Sequence, residues 1–97
     1  MTRFRLVPGA LREFEEAVDH YLAISPDIAS DFVDEYEAAV GFLCENPSAP
    51  RKIEGAARRW NLRRFPYALI YELVDERIVI LAVMHARREP GYWKKRG

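Results

Sequence analysis

Tyr67-Ala68-Leu69-Ile70-Tyr71-Glu72-Leu73-Val74, then Asp75-Glu76-Arg77, then Ile78-Val79-Ile80-Leu81-Ala82-Val83-Met84, is the stretch that decides the fold. Tyr67 to Val74 is rich in aromatic and branched residues, which suit a pleated, half-buried surface, and reads as a strand. Asp75-Glu76-Arg77 is polar and short enough for a hairpin turn, but lacks the Asn-Gly or Asp-Gly pair that such turns favour. Ile78 to Met84 is apolar throughout, the pattern of a central strand covered on both faces. Its seven residues fall far short of the ~20 needed to span a bilayer, so no membrane partner is expected.

Upstream of this hairpin, Trp60 and Leu62 alternate with Arg59, Asn61 and Arg63, which predicts another strand ended by Phe65-Pro66. Pro47 to Gly55 reads as a loop. Before it, Ile28, Ala29, Phe32, Val33, Tyr36, Val40 and Leu43 form one helical stripe, opened by Ser25-Pro26 and stopped by Asn46-Pro47. Leu11, Phe14, Val18, Tyr21 and Leu22 predict a preceding helix, with Glu13, Glu15, Glu16 and Asp19 largely off its stripe. So short a break between two amphipathic helices implies an antiparallel hairpin. The chain opens with Arg3-Phe4-Arg5-Leu6-Val7, a short strand closed by Pro8-Gly9. The tail from Glu89 to Arg96 has room for about two helical turns. The expected fold is α+β in the order βααβββ. An N-terminal strand and an antiparallel helical hairpin pack on a small, mainly antiparallel sheet, with a short C-terminal helical turn.

Ninety-seven residues suit one domain spanning 1–97. Hydrophobic residues make up 49% and charged ones 31%, enough to fill a core. Met1-Thr2-Arg3-Phe4 leads into no secretory apolar run, so a cytoplasmic location is expected. Net charge is zero but polarised: residues 1–50 carry three arginines against ten acids, and residues 51–97 carry twelve cations against five. A basic half of this kind suits an anionic partner. The other reading is that the two halves neutralise each other within the fold.

Several chemistries are set aside. Pro8-Gly9 and Gly55 do not make a phosphate loop, and Ser25, Ser30 and Ser48 sit in no nucleophile elbow. His20 and His85 with the single Cys44 have no metal-ligand spacing, so neither a metal nor a cofactor is called for. Cys44 reads as a small buried hydrophobe. The acids of the first half read as solvated helix faces.

The basic half is different. Arg58-Arg59-Trp60-Asn61-Leu62-Arg63-Arg64 alternates guanidiniums with core residues, His85-Ala86-Arg87-Arg88 follows the central strand, and Tyr92-Trp93-Lys94-Lys95-Arg96 closes the chain. Guanidinium forks grip phosphates or carboxylates, and aromatic rings anchor interfaces. Arg59, Arg63, Arg64, Arg87, Arg88, Tyr92 and Trp93 are therefore the expected target-binding residues. The same residues also fit the blander reading, in which the arginines pair with the helical acids while Tyr92 and Trp93 cap the core.

Arg63-Arg64-Phe65-Pro66-Tyr67-Ala68-Leu69-Ile70-Tyr71 and Met84-His85-Ala86-Arg87-Arg88-Glu89-Pro90-Gly91-Tyr92-Trp93 resemble the RelE/ParE superfamily of toxins from type II toxin–antitoxin systems. The Phe-Pro-Tyr-x-x-x-Tyr hairpin and the His-x-Arg-Arg-x-Pro end carry the resemblance, which extends over nearly the whole chain. It implies a cognate antitoxin as partner, and one of two targets. ParE-like members poison DNA gyrase, whereas RelE-like members cut mRNA on the ribosome. In the second case His85 or Tyr92 would serve as acid or base, with Arg63 and Arg87 among the phosphate ligands. The second-half strands hold no lysine or glutamate constellation to complete such a site. A net charge of zero also suits an RNA-surface enzyme poorly. Both features point to the ParE-like branch.

Overall fold

The structure, a computed structural model, describes residues 3–96. Strand β1 (Arg3–Leu6) leads into helices α1 (Pro8–Ile24) and α2 (Pro26–Glu45). Strands β2 (Lys52–Glu54), β3 (Ala57–Asn61), β4 (Tyr67–Val74) and β5 (Arg77–His85) follow. They form one sheet in the order β1-β5-β4-β3-β2, with β1 parallel to β5 and the other neighbours antiparallel. The expected α+β architecture is present, with one strand more than the sequence predicts. Lys52-Ile53-Glu54 is exposed at every position, so it carries no buried alternation to read, and it becomes a strand by pairing with β3.

Pro8 occupies the first turn of α1, where its missing N–H costs nothing, so the helix begins where the sequence suggested a turn. Ser25 alone separates the helices, and its hydroxyl accepts the Asp27 N–H at 3.2 Å to cap α2. The Asn46 N–H bonds the Phe42 carbonyl at 2.8 Å, and Pro47 then prevents another turn. Phe14 stacks on Phe32 and packs tilted against Tyr36, and Tyr21 packs on Phe32, so the helices run antiparallel. Phe65 and Tyr67 meet this cluster edge-on from the sheet. The α1 stripe is rotated from the expected one. Ala10 and Ala17 are buried, whereas Leu11 and Leu22 lie exposed, because close approach of α1 to β5 favours the small side chains.

The β4–β5 turn has two residues, Asp75 and Glu76, at φ 51° and 64°, the type I′ conformation that matches strand twist. Ile70 and Tyr71 pair with Ala82 and Ile80, so Leu81 is an extra residue that bulges β5. Ile78 to Met84 is buried on both faces, as expected for the central strand. The helices can cover only one of these faces, and the tail adds Trp93 to the same core cluster. The tail itself forms successive turns, with bonds from Tyr92 N–H to Glu89 O, Lys94 N–H to Gly91 O and Arg96 N–H to Trp93 O.

Candidate functional site

β3 ends, β4 begins and β5 ends at the same end of the sheet, so loop 62–66 and residues 86–88 lie side by side. The Ala86 N–H bonds the Pro66 carbonyl at 2.8 Å, and the Leu62 N–H bonds the Tyr67 carbonyl at 2.9 Å. From α2, Glu35 accepts the backbone N–H groups of Arg63 and Arg64, the latter at 3.1 Å. It also takes Arg64 Nε at 3.3 Å, with Asp31 4.0 Å from Arg64 Nη1. One acid thus fixes the loop by its backbone and leaves the Arg63 side chain exposed.

Among the described residues, no carboxylate lies within 4.0 Å of the guanidiniums of Arg59, Arg63, Arg87 or Arg88. Arg59 Nε bonds Asn61 Oδ1 at 2.8 Å, and the Arg88 guanidinium sits 3.9 Å from the Tyr92 ring centroid. The reading in which the halves cancel each other therefore fails for most of this end of the sheet. Four of its five expected arginines keep their charge available.

Trp93 corrects the expectation that placed it on the target surface. It is 5% exposed and part of the core. Tyr92 is half-buried, and its hydroxyl donates to Glu13 Oε2 at 2.6 Å. Burial, reinforced by that bond, pushes its pKa well above the usual tyrosine range, so it is a poor proton donor or base near neutral pH.

Glu13 corrects the view of the helix acids as merely solvated. Beyond the end of β1, the β5 edge has no strand partner among the described residues, and the Leu81 carbonyl at the bulge is open to that gap. Glu13 Oε1 accepts the Val83 N–H at 3.1 Å, and Arg96 Nη1 donates to the Leu81 carbonyl at 3.1 Å and to Glu13 Oε1 at 2.8 Å. The carboxylate holds the Arg96 pKa above its ordinary value. Gly9 leaves room for this clasp, since a Cβ there would lie 2.8 Å from Arg96 Cζ.

Beside the clasp, a cleft of ≈ 350 Å³ is lined by Glu16, His20, Tyr67, His85 and Arg88, with Glu13 at its wall. The two histidines, far apart in sequence, thus share one cleft. Among the described residues, no group of three or more His, Cys, Asp or Glu is placed to hold a metal ion. The Nδ1 of His85 accepts the Arg87 N–H at 3.0 Å, which leaves Nε2 to carry the proton of the neutral ring. Arg63 lines a separate groove with Phe42 and Trp60, whereas His85 faces the cleft. His20, Glu16, Glu13 and Glu35 were not among the expected site residues: His20 was set aside as a metal ligand, and the helix acids were read as solvated. For Glu13 the one signal was its place between Ala10 and Ala17. Cys44 is buried, and burial raises its pKa, as expected of a packing residue.

A small sheet under a helical hairpin, with four unpaired guanidiniums at one end, is a two-layer α+β domain with a cationic surface. The profile described as "ParE toxin of type II toxin-antitoxin system, parDE" matches residues 4–90. The chain belongs to this family. A solved structure described as "Chromosomal ParDE TA system from P. aeruginosa" is similar at TM-score 0.76, with 24% identity over 90% of this chain and 98% of that chain. That likeness supports the fold. No curated protein sequence matches the chain. Among the described residues, no helix is long and apolar enough to cross a membrane.

Proposed function

We propose that this chain arrests growth in the cytoplasm by inhibiting DNA gyrase and is silenced by a cognate antitoxin. Membership of the ParE toxin family supports the toxin role. The observation that carries the target reading is the set of guanidiniums Arg59, Arg63, Arg87 and Arg88 at one end of the sheet, without carboxylate partners among the described residues. Such an end can meet an acidic protein surface or a phosphate backbone. The Tyr92 hydroxyl, bound to Glu13 and with its pKa raised, weighs against ribosome-dependent mRNA cleavage through this residue.

The test is a paired assay of gyrase supercoiling and of cleavage of ribosome-bound message. Inhibition of supercoiling is expected, and Arg63→Ala combined with Arg87→Ala is expected to weaken it at least ~tenfold, the scale of interfacial arginine hot spots. His85→Gln is expected to leave it unchanged. Message cleavage that His85→Gln abolishes, with supercoiling untouched, would reverse the assignment.

A further inference from the structure

The four guanidiniums that lack carboxylate partners among the described residues are not equally ordered. The Arg63 and Arg87 side chains make no hydrogen bond or ion pair there, and Arg59 is tied to Asn61. Arg88 is held in another way. Its Cζ lies 3.9 Å from the Tyr92 ring centroid, well inside the ~6 Å over which a ring face attracts a cation. A carboxylate partner would take up the charge and the N–H donors of the fork. A guanidinium on a ring face keeps both for an incoming anion.

The ring itself is fixed from behind. The Tyr92 N–H bonds the Glu89 carbonyl at 3.4 Å, and Gly91 has φ 78°. Proline second and a positive-φ glycine third is the pattern of a type II turn, and it folds Tyr92 back toward Arg88. The Tyr92 hydroxyl then donates to Glu13 Oε2 on α1 at 2.6 Å. A hydroxyl that donates to a carboxylate leaves more electron density on its ring, which strengthens the pull on a cation. Arg96 also stands 4.9 Å from the same centroid, but Glu13 Oε1 neutralises it at 2.8 Å. Arg88 is exposed whereas Tyr92 is half-buried, so an approaching surface meets the arginine.

We propose that Tyr92 is a positioning residue for target binding: braced by Glu13, its ring holds the Arg88 guanidinium in place on the cationic end before the target arrives. A long side chain ordered in advance loses less freedom on binding, so affinity rises without any contact between Tyr92 and the target. Glu13, on the helix behind the tail, thereby acts on the target through two other side chains. This inference rests on the gyrase reading above.

The test joins NMR of the free full-length chain to the supercoiling assay. Arg88 side-chain signals, assigned by their loss in Arg88→Lys, are expected to be shifted upfield by the ring in the parent and in Tyr92→Phe. In Tyr92→Leu that shift is expected to disappear. Arg88→Ala is expected to weaken inhibition of supercoiling ~tenfold, and Tyr92→Leu about three- to tenfold. Tyr92→Phe keeps the ring and is expected to restore inhibition to within about threefold of the parent. Tyr92→Leu added to Arg88→Ala is expected to cost less than about twofold more, because the tyrosine acts only through the arginine. An equal loss in both backgrounds means that Tyr92 touches the target or merely supports the fold, and overturns this inference. Unshifted Arg88 signals in a parent that inhibits gyrase also overturn it, leave the target reading intact, and need no variant that must fold. A parent chain that leaves supercoiling untouched removes the gyrase reading and this inference with it.

Discussion

Glu13→Ala removes the acid that joins both ends of the chain. The variant loses the Val83 N–H contact at 3.1 Å, the Tyr92 hydroxyl at 2.6 Å and the Arg96 contacts at 2.8 and 3.3 Å. Arg96 keeps only the Leu81 carbonyl at 3.1 Å and the face of Tyr92, 4.9 Å from its centroid. Breaking a fully buried ion pair costs about 3–5 kcal/mol. The side chains of Arg96 and Glu13 are 25% and 13% exposed, so water partly compensates. The expected loss is about 2–4 kcal/mol. Glu13→Gln keeps an acceptor but not the charge, and is expected to lose about 1–2 kcal/mol. With urea m-values of roughly 1–3 kcal/mol per molar for small proteins, the Ala variant should unfold at a midpoint about 1–2 M lower. Trp93, next to Tyr92 and buried, supplies the fluorescence signal. Glu15→Ala, an exposed acid on the same helix, is the control and should stay within about 0.5 kcal/mol of the parent. A Glu13→Ala midpoint equal to that of Glu15→Ala would refute the clasp.

Three further outcomes are expected. Glu76→Gly should raise stability by about 1 kcal/mol in urea unfolding, because φ 64° is strained for a side chain and open to glycine; a loss of stability would contradict the turn assignment. Phe32→Ala should cost about 3–5 kcal/mol by thermal or urea unfolding, since Phe32 is fully buried among four aromatic rings. Burial, with Glu37 nearby, pushes the Tyr36 pKa from its ordinary value near 10 up to about 12. A raised folded-state pKa contributes stability below pH ~10 that is lost between about pH 10 and 12, at a slope of roughly 1.4 kcal/mol per unit for this tyrosine. Tyr36→Phe should flatten that alkaline decline, as followed by urea unfolding at each pH, and an unchanged slope would contradict it.

The hairpin of β4 and β5 was legible because its apolar run is continuous, and α2 because Ser25-Pro26 and Asn46-Pro47 mark both ends. β2 was not, since pairing creates it without burying any of its side chains. The α1 stripe was misread at Leu11 and Leu22 because helix–sheet distance, which selects Ala10 and Ala17, is a tertiary quantity. The cationic end was legible as composition. Which arginines stay unpaired depended on Glu35, an acid 28 positions before Arg63. Trp93 shows the same limit, since an aromatic among tail cations reads equally as contact or as core.

The parallel pairing of β1 with β5 and the bond between Glu13 and Arg96, 83 positions apart, join an early segment of the sequence to a late one. The helical hairpin can form early from local contacts, but the sheet's centre and its closing clasp must await residues made long after it. A growing chain is thus held short of its finished surface until those residues have emerged. This leaves an interval in which a partner already present can meet the polypeptide before it is competent to act.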